Sequence, residues 1–71
     1  MPQYTIYVNA TTDEVAVTRA YGFVQQRYSC SGFGVTNPGR GGLEVHLTTT
    51  ATRAQIVTEF NNRLGGGAYA S

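Results

Sequence analysis

The hydrophobic and polar positions of this chain repeat one unit twice: an alternating apolar segment, a threonine-rich bend, and a segment with apolar residues at helical spacing. The alternating residues are Tyr4, Ile6 and Val8 in the first copy and Leu43, Val45 and Leu47 in the second. The helically spaced residues are Val15, Val17, Tyr21, Val24 and Tyr28 in the first copy and Ile56, Phe60 and Leu64 in the second. Because strands have a side-chain period of two and helices one of 3.6, each copy predicts a strand followed by a helix.

Each predicted helix opens with a threonine followed three residues later by Glu or Gln: Thr11 with Glu14, and Thr52 with Gln55. A threonine hydroxyl in this position accepts a hydrogen bond from the amide three residues on, so the pattern predicts Thr11 and Thr52 as N-caps. The second helix is predicted over residues 52–64, and the glycines of residues 65–67 end it, the first of them in a left-handed C-cap. Gly22 lies inside the first helix, where we expect another backbone to pack closely against it.

The segment between the two units predicts a hairpin. Residues 29–34 lose the helical period and are predicted as a loop that leads into a short second strand around Val35. The turn-forming residues 37–42 then connect this strand to a third strand over residues 43–48. After the three glycines, residues 68–71 are predicted as a frayed tail, with Tyr69 available to contact a neighbouring molecule.

These elements predict one small α+β domain over residues 1–71 with the order β-α-β-β-α. A strand-helix-strand connection makes the first two strands parallel, and the hairpin makes the third strand antiparallel to the second. The simplest result is a three-stranded mixed sheet of order 1-3-2 with both helices on one face. It is a truncated ferredoxin-like arrangement, because the last strand is missing. Strand one is then an open edge of unpaired main-chain groups.

The amino-acid composition limits which kinds of functional site the chain can form. The chain has 71 residues, a single cysteine (Cys30) and a single histidine (His46). An intramolecular disulfide is therefore excluded, and a protein-ligated metal site or another cofactor is not expected. A domain of this size buries only about 60% of the surface that its unfolded chain exposes. Self-association is the remaining route to stability, so we expect a homo-oligomer, a homodimer in the simplest case.

The charge pattern gives little electrostatic attraction toward nucleic acid or an anionic membrane. Five arginines and no lysines stand against four acidic residues, for a net charge of +1. No apolar run approaches the roughly 20 residues needed to cross a bilayer. The N-terminus also lacks the pattern of a secretory signal. We therefore expect a cytoplasmic protein without a membrane partner.

The helix-free face of the predicted sheet is the first candidate site. If Tyr4, Ile6 and Val8 face the helices, alternation turns Thr5 and Tyr7 to the other side, and the same reasoning turns Glu44 and His46 there from the third strand. A histidine beside a carboxylate can perform general acid-base chemistry, with Tyr7 nearby. The alternative interpretation is that alternation makes one side of every exposed strand polar, and an isolated Glu-x-His is then common by chance.

The glycine-rich loop around Arg40 is the second candidate. Amides freed by glycine can surround an anion, and arginine can make a bidentate contact with phosphate or enter a DNA minor groove. The loop lacks the lysine of a phosphate-binding loop. A flexible hairpin loop without a ligand is the alternative interpretation.

Pro2 directly follows the initiator methionine and precedes a strand and a helix. In this it resembles the tautomerase superfamily, whose members use an N-terminal proline amine as a base. The resemblance implies such a base only after Met1 is removed, because the Pro2 nitrogen is otherwise an amide.

The sequence therefore favours a non-catalytic interaction module that self-associates and binds another protein through a sheet edge or the helix-free sheet face. The interface candidates are Thr5, Tyr7, Arg40, Glu44, His46 and Tyr69. The first alternative is a nucleic-acid-binding protein that uses Arg40 and the helix arginines. The second is a small enzyme that uses Glu44, His46 and Tyr7, or Pro2.

Overall fold

The chain folds into four strands and two helices in the order β-α-β-β-α-β, and a computed structural model describes all 71 residues. The strands are β1 (Gln3–Asn9), β2 (Cys30–Thr36), β3 (Leu43–Thr49) and β4 (Tyr69–Ala70), and the helices are α1 (Glu14–Arg27) and α2 (Arg53–Arg63). The sheet order is β2-β3-β1-β4, and every neighbouring pair is antiparallel. This is the order of the complete ferredoxin-like arrangement, with a very short last strand.

The α+β class is confirmed, but the expected three-stranded sheet of order 1-3-2 is wrong in strand count and order. β3 does lie between β1 and β2. β4, however, pairs with the other side of β1, with Val8 opposite Ala70 and Asn9 opposite Tyr69. The edge of β1 is therefore covered at its C-terminal end, and residues 68–71 are not a frayed tail.

The side chain of Asn61 holds β4 in place from the side opposite β1. Its Oδ1 accepts from the Ala70 amide at 2.7 Å, and its Nδ2 donates to the Ala70 carbonyl at 3.2 Å. On the β1 side, the Tyr7 amide donates to Ser71 at 3.2 Å and the Ser71 amide donates to Tyr7 at 2.9 Å. A two-residue strand thus has main-chain partners on one side and a helix side chain on the other. No sequence period can show such a strand.

Arg53 closes the same edge further along β1. Its guanidinium donates to the main-chain oxygen of Thr5 at 2.8 Å and to that of Ser71 at 3.2 Å. Arginine presents several donors in a fixed fork, so one side chain can join two main-chain oxygens. The expected open edge at strand one is consequently occupied by β4 and by a side chain of α2.

The two helix starts differ. Thr52 forms the predicted capping box: its hydroxyl accepts from the Gln55 amide at 3.2 Å, and Gln55 Oε1 accepts from the Thr52 amide at 2.9 Å. The prediction for Thr11 is wrong, because Asp13 is the N-cap of α1 and its carboxylate accepts from the first amides of the helix. The Thr11 hydroxyl instead accepts from the Asp13 amide at 3.1 Å, which fixes the turn before the helix.

Two glycine predictions are also wrong. α2 ends at Arg63, its C-cap Leu64 is extended, and the positive φ angles occur at Gly66 and Gly67 rather than Gly65. At Gly22 an added Cβ would meet nothing within 4 Å, so no backbone of this chain packs against that position. The cost of glycine in α1 has no explanation within a single copy of the chain.

Both helices pack on one face of the sheet. The thirteen buried hydrophobic residues form one cluster: Ile6, Val8, Val17, Ala20, Tyr21, Val24, Leu43, Val45, Leu47, Ala51, Ile56, Phe60 and Ala70. α1 is joined to α2 by an ion pair between Arg27 and the buried carboxylate of Glu59, with an N–O distance of 3.1 Å. It is joined to β2 by Tyr21, whose ring stacks on Phe33 with 3.9 Å between centroids.

β2 is longer than the sequence predicted. Residues 29–34 were expected as a loop, but the strand already begins at Cys30. Its register on β3 shifts between Ser31 and Gly34, and Gly32 there has a φ of +65°. A bulge of this kind inserts one residue into the ladder and so hides the alternation of the strand. The two glycines signalled a loop, whereas in the fold they accommodate an irregular edge strand.

Candidate interaction face of the sheet

The six residues singled out in the sequence all lie at the helix-free face of the sheet. Across the central pair of strands, Thr5 is opposite His46 and Tyr7 is opposite Glu44. The expected orientation of these four is confirmed, because their neighbours Ile6, Val8, Val45 and Leu47 are fully buried against the helices. Tyr69 is 55% exposed next to buried Ala70, so it lies on this face beside Asn9.

His46 occupies the centre of this face, and both its ring nitrogens have partners. Nδ1 lies 3.1 Å from the hydroxyl of Thr5, and Nε2 lies 3.1 Å from the hydroxyl of Thr36 on β2. The Thr36 hydroxyl also donates to Glu44 Oε1 at 3.5 Å. A hydroxyl has one proton to donate. The Thr36 hydroxyl therefore accepts from His46 Nε2–H, and in that tautomer of the neutral ring Nδ1 accepts from the Thr5 hydroxyl.

This network changes the expected Glu-His pair. The carboxylate of Glu44 does not contact His46 directly, because the hydroxyl of Thr36 lies between them. With both imidazole nitrogens occupied by threonine hydroxyls, the hydrogen bonds orient the ring across three strands. The sequence did not single out Thr36, which lies opposite Glu44 in the regular part of β2 next to the hairpin loop.

Tyr7 is held in place by a glycine and an arginine. A Cβ on Gly42 would lie 2.7 Å from the Tyr7 hydroxyl oxygen, so the ring occupies the space that any larger residue would fill. Arg40 lies 5.4 Å from the centroid of the Tyr7 ring, and its guanidinium is 3.9 Å from Glu44 Oε2. Arg40, Tyr7 and Glu44 thus form one cluster that fixes the hairpin loop against the face.

The other arginines are distributed over the molecule rather than gathered into a basic patch. Arg27 pairs with Glu59, and Arg53 donates to main-chain oxygens. Arg63 lies 4.1 Å above the ring of Phe23. Only Arg19, on the outer side of α1, makes none of these contacts. The structure therefore does not join Arg40 and the helix arginines into one surface.

Pro2 lies at the end of the central strand pair. Its carbonyl oxygen accepts from the Thr49 amide at 3.0 Å, which continues the pairing of β1 with β3 by one position. With Met1 in place, the Pro2 nitrogen belongs to a peptide bond, so the base implied by the tautomerase resemblance requires the removal of Met1.

None of the hollows in the molecular surface opens on the helix-free face. The three hollows in the molecular surface, of about 380, 280 and 300 Å³, are lined by residues of α1 and α2 and by the adjoining Tyr28. Small-molecule sites are concave and bury most of their ligand. The helix-free face therefore has no concave site of this kind. No group of three or more potential metal-ligating side chains is present.

The fold and this face define a small α+β domain with an uncovered sheet surface. No protein-family model matches the chain, and neither a curated protein nor a solved structure matches it significantly. Neither helix is long and apolar enough to span a membrane.

Proposed function

We propose that this chain is a non-catalytic protein-binding domain and that the helix-free sheet face is its binding surface. The observation that carries the proposal is the arrangement around Tyr7. The ring lies between Gly42 and Arg40 on a face that no other element covers. Interface hot spots are enriched in tyrosine and arginine, and a side chain that is already held in place loses little entropy on binding.

The polar residues around Tyr7 favour a partner that binds transiently. Thr5, Thr36, Glu44 and His46 make much of the face polar, and they are joined to one another by hydrogen bonds. Interfaces that form and dissociate are about as polar as the rest of a protein surface, whereas obligate dimers are more apolar. The chemistry of this face therefore favours a separate protein as partner over a permanent second copy at the same place.

Site-specific photocrosslinking tests the proposal in the source cells. A photoreactive residue replaces Tyr69 on the sheet face, and in a control variant it replaces Thr58 on the exposed side of α2. We expect a discrete adduct from position 69 only, and its loss when Tyr7→Ala is added. Circular dichroism confirms that the variants are folded. An adduct that forms equally well from position 58, or that survives Tyr7→Ala, contradicts the proposal.

The nucleic-acid alternative has one observation in its favour. The rings of Tyr7, His46 and Tyr69 lie on the open face of a four-stranded sheet, where bases can stack. Against it, Glu44 lies among these rings, and Arg40 is paired with that carboxylate. Fluorescence anisotropy with single-stranded DNA and RNA decides: affinity that falls steeply with added salt and is lost in Tyr7→Ala supports nucleic-acid binding.

A further inference from the structure

With β4 on one side of the sheet, β2 is its uncovered edge. Main-chain bonding directions alternate along an antiparallel strand. The Thr49 amide of β3 donates to Pro2 beside β1, so odd-numbered residues of β3 bond toward β1. The even-numbered residues Glu44 and His46 then bond toward β2.

The same alternation identifies the free groups of β2. Thr36 is opposite Glu44 and Gly34 is opposite His46, so these two residues turn their main-chain groups toward β3. Phe33 and Val35 consequently turn their N–H and C=O groups outward, where no element of the chain covers them. The edge therefore presents two residues with free donors and acceptors, one on each side of Gly34.

The β2 edge lacks most of the features that keep an edge strand from pairing with another strand. Natural edge strands are commonly protected by charged residues, proline or a covering element. Residues 28–37 contain no charged residue and no proline, and the register shift of β2 lies between Ser31 and Gly34. Residues Gly34 to Thr36 keep a regular register on β3, and Phe33, whose ring stacks on Tyr21, directly precedes them, so this half of the strand can extend the sheet.

We propose that β2 pairs with β2 of a second copy of this chain, antiparallel about a two-fold axis at Gly34. In this register Phe33 of each copy is opposite Val35 of the other, so the free main-chain groups of both residues are satisfied on both chains. Gly34 meets Gly34 of the second copy at a non-hydrogen-bonded position, where strands approach to about 4.5 Å between Cα atoms. The two sheets join into one, and the uncharged edge meets itself without repulsion.

The position of α1 supports a second copy rather than an extended peptide from another protein. α1 lies on the β2 side of the sheet, as the stacking of Tyr21 on Phe33 shows. Pairing of two β2 strands brings the two α1 helices side by side on the same face. Helices approach closely where side chains are small, and Gly22 has open space around it. An isolated peptide would leave this side of α1 in solvent.

Disulfide trapping tests the proposed register. In a Cys30→Ser background, Gly34→Cys places the only thiol at the proposed axis, and an added Cβ there meets nothing within 4 Å. We expect mild oxidation to convert this variant to a covalent dimer. The matched control, Thr58→Cys in the same background, is expected to remain uncrosslinked. Equal crosslinking of both variants, or none at position 34, overturns the register.

Charge substitutions test the dimer independently. By light scattering after size exclusion we expect the wild type to have twice the 7.6 kDa mass of one chain. Gly34→Asp and Gly34→Lys are each expected to be monomers, because like charges meet at the axis, and an equal mixture of the two is expected to recover the dimer mass. A monomeric wild type at millimolar concentration overturns the proposal. Tyr7→Ala is expected to keep the dimer mass, since the helix-free face stays uncovered.

Discussion

Replacement of Gly42 by alanine is expected to destabilise the fold and to displace Tyr7. A Cβ at this position would lie 2.5 Å from the carbonyl oxygen of Val8, 2.7 Å from the Tyr7 hydroxyl oxygen and 2.9 Å from the ring carbon that carries it. Ordinary contacts between heavy atoms are about 3.5–4.0 Å. The Val8 carbonyl belongs to the main chain of β1 opposite Leu43, so no rotamer change can move it away.

The magnitude follows from these contacts. Extra volume forced into a packed site costs about 1–3 kcal/mol. Movement of the Tyr7 ring also weakens its contact with Arg40, which is worth about 0.5–1 kcal/mol at an exposed site. We therefore expect Gly42→Ala to lower the free energy of unfolding by about 2–3 kcal/mol. For a domain of this size, each kcal/mol lowers the melting temperature by about 4–8 °C.

Urea denaturation at 25 °C measures the effect, and two further glycines serve as controls. Gly34→Ala adds a Cβ in open space on a strand and is expected to stay within about 0.5 kcal/mol of wild type. Gly41→Ala also meets no neighbour, but its φ of +81° makes any side chain unfavourable, at about 1–2 kcal/mol. If Gly42→Ala is no less stable than Gly34→Ala, the steric reasoning is wrong.

Three further perturbations test other parts of the fold. Asn61→Ala removes both hydrogen bonds to Ala70, and we expect a loss of about 1–3 kcal/mol together with faster hydrogen exchange of the Ser71 amide. Arg27→Ala leaves the carboxylate of Glu59 buried without its partner and is expected to cost about 1–3 kcal/mol in thermal or urea unfolding. Burial raises the pKa of Tyr21 above 10.0, and the nearby Cys30 raises it further. A hydrogen bond with Gln25 lowers the pKa by a smaller amount. Stability is therefore fully present below pH 10 and falls as the pH rises above it, because the unfolded chain loses the tyrosine proton first.

Each of these has a contradicting result. Unchanged exchange at Ser71 in Asn61→Ala would show that β4 does not depend on the amide. If the unpaired buried carboxylate causes the loss, the double variant Arg27→Ala/Glu59→Gln is more stable than Arg27→Ala alone, and an equal or lower stability contradicts this cause. For Tyr21, the urea midpoint of Tyr21→Phe must decline less between pH 9.5 and about 11 than that of wild type. If the urea midpoints of Tyr21→Phe and wild type decline equally, groups other than Tyr21 cause the loss of stability at high pH.

The sequence determined the elements whose pattern is local. Period-two alternation identified β1 and β3 and the two faces of each, because a strand turns successive side chains to opposite sides whatever its neighbours are. This placed Thr5, Tyr7, Glu44 and His46 on one surface. Helical spacing and the Thr52 capping box identified α2, since its hydrogen bonds join residues only three positions apart.

Only the tertiary structure decided the parts that depend on contacts distant in sequence. β4 has two residues, too few for a period, and exists because Asn61 and β1 satisfy its main chain from both sides. The partners of His46 depend on which residues of β1 and β2 lie beside it in the sheet, because Thr5 and Thr36 come from those two strands. The sequence predicts the free edge at β1, but the structure leaves it at β2. The reason is the same, because the main-chain groups of a strand are free only where no other strand lies beside it. The sequence of one strand does not identify its neighbours.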